Sequence, residues 1–207
     1  MGVAGVFFGV LVGWIIGSQA GAGRVAPPQA VATQGAGSGT GAQAAPALDE
    51  TRASAMKNAA GQNPADAATR AQLANLYFDA GRFQDAAEWY DAALKINPKD
   101  VNVSTDLGIA YYYMNQPDRA LAQFDRSLAV DSGHAKTLLN IGIVRAFGKQ
   151  DLKGAAEVWE KILVVAPSSE EARAARQALD GLRSAHPDLG IPATSGQGRG
   201  TPKGQGS

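Results

Sequence analysis

"AATRAQLANLYFDAGRFQDAAEWYDAALKINPKD" occupies residues 67–100, and the two stretches after it repeat its pattern. "VNVSTDLGIAYYYMNQPDRALAQFDRSLAVDSGH" covers 101–134 and "AKTLLNIGIVRAFGKQDLKGAAEVWEKILVVAPSS" covers 135–169, a period of 34 or 35 residues. Such a period marks stacked units, each burying its apolar faces only against its neighbours. The aligned columns have a physical logic. Leu73, Leu107 and Ile141 are each followed by a small residue, Ala74, Gly108 or Gly142, and Ala86, Ala120 and Ala155 stand ahead of Tyr90, Phe124 and Trp159. The small side chains let two paired helices touch, while Tyr77, Tyr90, Tyr111, Phe124 and Trp159 fill the space between pairs.

With Pro98 and Pro167 ending the first and third units and Ser132 in that place in the second, the pattern resembles the tetratricopeptide-repeat (TPR) family. The resemblance implies an all-α solenoid of three helix-turn-helix repeats. The third repeat departs from the pattern: Arg145 stands where Tyr77 and Tyr111 do, Ile162 where Ala93 and Ser127 do, and one extra residue enters its turn near 149–152. Flanking helices complete the stack. Asn63-Pro64 precedes Asn97-Pro98 by 34 residues, so 49–60 reads as the second helix of a partial leading repeat, with Met56 at the aromatic position. After Pro167, Ser168 and Glu171 have capping-box spacing, and Ala172, Ala175, Leu179 and Leu182 make one apolar face over 169–184 that covers the last repeat.

Around this domain, 48–186, the composition changes. Residues 24–47 are an Ala/Pro/Gly/Gln linker and 187–207 end in "TSGQGRGTPKGQGS", both too poor in apolar side chains to offset their ordering entropy. From Met1 to Gly23 there is no ionisable side chain, which predicts a single transmembrane helix over 1–23. Gly5, Gly9, Gly13 and Gly17 recur every fourth residue, a spacing that suits close pairing of membrane helices and homo-oligomers. An anchor that pairs with nothing fits the same residues. A cleaved signal is the competing reading, from Ser18-Gln19-Ala20, but there is no basic leader and the apolar run is long. Arg24 favours a cytoplasmic C-terminal side, whereas an anchor followed by a spacer is the layout of bacterial extracytoplasmic domains. The expectation taken forward is a single-pass inner-membrane protein with a periplasmic repeat domain.

Function classes narrow quickly. The formal net charge is zero, which gives no hint of nucleic acid, and the chain has no cysteine, so disulfides, thiolate metal sites and cysteine nucleophiles are absent. His134 and His186 are far apart in sequence, one at a repeat junction and one before Pro187. No catalytic residue, metal site or cofactor is expected, and His134 reads as a turn residue.

The family resemblance implies that the first helix of each pair lines a concave surface. Its free positions are Asn75, Phe78 and Asp79, then Ile109, Tyr112 and Tyr113, then Asn140, Ile143 and Phe147. These suit an extended or helical peptide of a partner protein; for Phe78, Tyr113 and Phe147 ordinary packing is the alternative. Some cytosolic members clamp the carboxylate tail of chaperones. Asn75 and Lys136 fit that pattern, but Ala71, Asp106 and Asn140 do not, and Asp106 would repel the carboxylate. The membrane helix, tandem repeats and aromatic-rich third repeat are similar to TPR subunits that hold apocytochrome during bacterial c-type cytochrome maturation. A self-associating scaffold built on the glycine stripe is the alternative function.

Overall fold

A computed structural model describes residues 45–191 of the 207. Within that span the chain runs through eight α-helices: α1 (Glu50–Gln62), α2 (Ala67–Asp79), α3 (Phe83–Ile96), α4 (Val101–Tyr113), α5 (Pro117–Val130), α6 (Ala135–Ile143), α7 (Leu152–Val165) and α8 (Glu170–Ala185). A π-helical turn, Val144–Gly148, extends α6, and a 3-10 turn, Pro187–Leu189, follows α8. Each helix packs on the next along the chain, and α4 touches α6 as α6 touches α8, so the pairs stack into a solenoid.

The helices start where the sequence supplies an acceptor for their free N–H groups. Asp49, Asp66, Asp100 and Asp151 accept from the backbone N–H of Arg52, Thr69, Val103 and Gly154. The capping of α8 differs from expectation: Ser169, one residue after Ser168, is the N-cap and accepts from Ala172 N at 3.0 Å. The turn after α7, closed by Ser169 N donating to Ala166 O, sets this register. Glu171 therefore stands in the first turn with Glu170, where the positive end of the helix dipole favours it, rather than in a capping box.

The core follows the aligned columns. Leu73, Ala74, Tyr77, Ala86, Tyr90, Val103 and Leu107 form one buried cluster with Ala53 of α1, and Met56 packs against it half-buried. Ile109, Ala120, Phe124, Ile141 and Val144 form the next. The close approaches are physical: a Cβ at Gly108 would run into the Phe124 ring, and one at Gly142 into the Trp159 indole. Ile162, in the column where Ala93 and Ser127 stand, is fully buried, and Ala172, Ala175 and Leu179 of α8 close the stack. Tyr111 packs against both clusters but is half-buried, with the Arg119 guanidinium 4.1 Å from its ring centre.

Beyond α8 the 3-10 turn Pro187–Leu189 follows, and Arg183 Nε donates to Ile191 O at 3.3 Å, so the first residues of the expected tail are ordered against the last helix. Among the described residues no helix is long and apolar enough to cross a membrane. The expected membrane helix over 1–23, with Gly5, Gly9, Gly13 and Gly17, lies outside the described residues.

Candidate functional site: an aromatic face on the first helices

The first helices of the three repeats end in the same turn. Its left-handed residue is Gly81, then Asn115, then Gln150, with φ of 72°, 58° and 57°. In the first two repeats the turn is closed by Arg82 N to Tyr77 O and Gln116 N to Tyr111 O, each 2.9 Å; in the third, Asp151 N reaches Arg145 O at 2.8 Å across one more residue. The inserted residue is absorbed by the π-helical turn, where Lys149 N donates to Val144 O at 3.0 Å. Widening one turn keeps the rest of the repeat in register, which is how an insertion survives within a helix.

The widened turn decides what the end of α6 presents. Ala146 is buried, while Phe147 is 37% exposed. Gly148 lies so close to the second repeat that a Cβ there would stand 3.2 Å from the Tyr112 ring and 3.1 Å from Pro117. Lys149 Nζ ties the turn to Asp118 of α5 at 2.7 Å.

Next to it the ends of α2 and α4 form an aromatic cluster. Phe83 and Tyr113 stack with centroids 4.7 Å apart, and Phe78 meets both edge-on at 5.2 and 5.4 Å. Tyr112 lies 6.2 Å from Tyr113. Such offset and edge-to-face pairs favour the rings beyond their area burial. Phe78, Tyr112 and Tyr113 are each half-buried, and burial pushes the Tyr113 hydroxyl up to about 12. Phe83 was not among the sequence candidates, although it heads the second helix in the column of Pro117 and Leu152.

The other candidates separate by burial. Ile109, Asn140 and Ile143 lie below the surface, Asn140 donating Nδ2 to Lys136 O at 2.8 Å within its own helix. Asn75 is exposed, but its Oδ1 accepts the Tyr90 hydroxyl at 2.6 Å. Asp79 is exposed by area, yet burial still raises its carboxyl pKa, because a wall of neighbouring atoms shields a group that touches solvent. Phe78, Asp79, Tyr112, Tyr113 and Phe147 thus remain at the surface, all at the C-terminal ends of first helices.

At the opposite ends of α4 and α6 the junction is polar. Lys136 Nζ donates to Asp106 Oδ1 at 2.6 Å, with only 18% and 19% of the two side chains exposed. Thr105 and Thr137 hydroxyls pair at 2.7 Å, and His134, the N-cap of α6, places Nδ1 2.7 Å from Thr137 Oγ1. Within the second repeat Ser104 accepts from both Gln123 Nε2 and Ser127 Oγ, so this buried set is satisfied. The sequence columns did not reveal these partners, since neither Asp106–Lys136 nor Thr105–Thr137 recurs at the first junction. Both residues that fit the carboxylate-clamping pattern are therefore occupied, Asn75 by Tyr90 and Lys136 by Asp106. Among the described residues no group of three or more His, Asp or Glu side chains could hold a metal ion.

Comparisons with known proteins bear on the same span. A family model described as TPR repeat matches residues 74–115, and one described as tetratricopeptide repeat matches 105–170. The chain is 32% identical over 100 residues to BBSome complex member BBS4 of Bos taurus, covering 48% of this chain and 19% of that protein. It is 25% identical over 130 residues to RNA polymerase II-associated protein 3 of Homo sapiens, covering 59% and 19%. The chain thus spans about a fifth of the length of these relatives. Among solved structures, MamA is similar at a TM-score of 0.55 with 21% identity, covering 66% of this chain and 81% of that one. The first TPR of Spaghetti (RPAP3), solved with the HSP90 peptide SRMEEVD, follows at 0.51 with 22% identity, covering 60% and 95%. At these identities the structural likeness establishes the fold. The repeat signature, the stacked helix pairs and the two family matches agree, and residues 74–170 are similar to tetratricopeptide repeats.

Proposed function

We propose that this chain is a non-enzymatic protein-interaction module that holds a peptide segment of a partner on the face made by its first helices. The observation that supports this reading is the row of partly open aromatics on successive first helices, Phe78, Tyr112, Tyr113 and Phe147, beside the carboxylate of Asp79. Aromatic rings give large contact area for little lost rotamer freedom and are enriched where binding energy concentrates. The first TPR of Spaghetti (RPAP3), which shares the fold, is solved with an HSP90 peptide, and that analogy favours a peptide-holding mode.

The proposal extends to place. The uncharged stretch over 1–23 is long enough to span a bilayer, and the linker over 24–47 would tether the repeats to it. That tether raises the local concentration of the module at a membrane assembly. We place the repeats on the periplasmic side of the inner membrane, with c-type cytochrome maturation as the assembly first in line.

Three measurements test this. A photo-crosslinking residue at 147 or 79, in the cells that make the protein, should trap a protein partner, while the same residue at the exposed positions 88 or 125 on second helices should not. Equal trapping at all four sites, or none, would sink the groove reading. A C-terminal tag that stays membrane-bound yet resists protease after the outer barrier is opened would overturn the periplasmic placement. Gly9→Ile with Gly13→Ile should leave peptide binding intact; if it abolishes binding along with oligomers, the self-associating scaffold is the better reading.

A further inference from the structure

The charge on the aromatic face has a direction. Asp79 occupies on α2 the register position that Tyr113 occupies on α4, 34 residues on. Its carboxylate makes no ion pair and no hydrogen bond among the described residues. The cation whose field it feels, Arg52 of α1, forms no ion pair with it. Lys136 of α6 is already paired with Asp106. Both carboxylates, Asp106 and Asp79, act on the Tyr90 hydroxyl beneath them, and that hydroxyl is spent on Asn75 Oδ1. The face therefore combines apolar rings with a carboxylate that no side chain pairs, offset only by the field of Arg52, while Lys136 is not open to an acidic ligand.

Resting on the peptide-binding reading above, we infer that the bound segment presents a lysine or arginine side chain to Asp79 and lays its apolar neighbours on Phe78 and Tyr113. The argument is one of complementarity. A carboxylate shielded on one side by groove wall loses hydration, and a partner cation restores what water no longer supplies. The adjacent rings suit the same occupant, since their faces attract a cation and their edges accept its aliphatic stem. The fold already uses this chemistry on itself: Arg82 lies 5.1 Å from the Tyr77 ring centre and Arg119 4.1 Å from that of Tyr111. Selectivity follows, because an acidic carboxy-terminal peptide such as the SRMEEVD held by Spaghetti would meet Asp79 with like charge.

The test uses the full-length chain and labelled peptides of the form GSFXLFSG, with X arginine, glutamine or glutamate, together with SRMEEVD, read by fluorescence anisotropy at low and physiological salt. Arginine should bind about five-fold tighter than glutamate, with SRMEEVD weakest, and the gap should narrow with salt. Asp79→Asn should erase the ranking and Asp79→Lys should invert it; position 79 is exposed, so neither change disturbs the core. Phe147→Ala should weaken all three peptides of the series alike. If it does so while the ranking ignores position 79, or if SRMEEVD binds tightest, the cation inference falls and the groove reading stands. If no peptide binds, or binding ignores both 79 and 147, the groove reading falls and takes this inference with it.

Discussion

The Trp159 indole crosses Gly142 at a distance that leaves no room for a methyl group, and its Nε1 donates to Leu139 O at 3.2 Å beside that crossing. The glycine is thus the condition for the largest buried side chain of the third repeat, since both partners are fully buried and neither can step aside.

Gly142→Ala is therefore expected to destabilise the domain even though alanine is the better helix former by about 1 kcal/mol. Overpacking against the indole and loss of its hydrogen bond outweigh that gain, for a net loss of about 2 kcal/mol. Gly108→Ala, against the Phe124 ring with no hydrogen bond at stake, should cost less. Urea unfolding followed by circular dichroism would rank the two.

Lys136→Met leaves the Asp106 carboxylate buried and unpaired, which is expected to cost about 3 kcal/mol. Adding Asp106→Leu should recover most of that loss, because the apolar pair no longer bears the desolvation of a charge. A double variant as unstable as the single one would mean that the ion pair adds to stability beyond self-compensation.

His134 supplies a pH dependence whose sign is fixed. Burial lowers its pKa below 6.5, with Lys136 acting the same way and Asp131, Glu171 and Asp106 opposing. The folded state prefers the neutral ring, so this contribution is complete above the unfolded value of about 6.5 and is lost as pH falls through the depressed folded pKa. Melting temperatures from pH ~8 to ~5 should decline for the parent more steeply than for His134→Gln. Equal slopes would count against this account.

Tyr113→Ala and Phe147→Ala separate folding from binding. Tyr113 touches Phe78, Phe83 and Tyr112, so its removal should cost about 2 kcal/mol of stability as well as affinity. Phe147, more open at the surface, should lose affinity while changing stability by only about 0.5 kcal/mol. Thermal melts alongside peptide anisotropy distinguish the two.

The repeat architecture was legible because stacking imposes the same requirement three times. Small residues at 74, 108 and 142 and rings at 90, 124 and 159 recur wherever two helices must touch and a neighbour must be filled. The miss at Ser168 came from a choice between adjacent serines that only the turn geometry resolves. The extra residue of the third repeat was visible as a length difference, but its fate was not. A π-helical turn and a longer loop have the same sequence length, and the structure takes the former, with Gly148 close against Tyr112 and Pro117. The sequence by itself thus determined the periodic part of this protein: the helix pairs, their order and the columns of the core. The tertiary structure alone decided what happens once, at a single junction. That includes the burial of Ile109, Asn140 and Ile143, the Asp106–Lys136 pair and the Phe83–Tyr113 stack. The physical reason is that a repeated contact leaves a repeated residue, whereas a contact made once between positions far apart in the chain leaves no pattern to read.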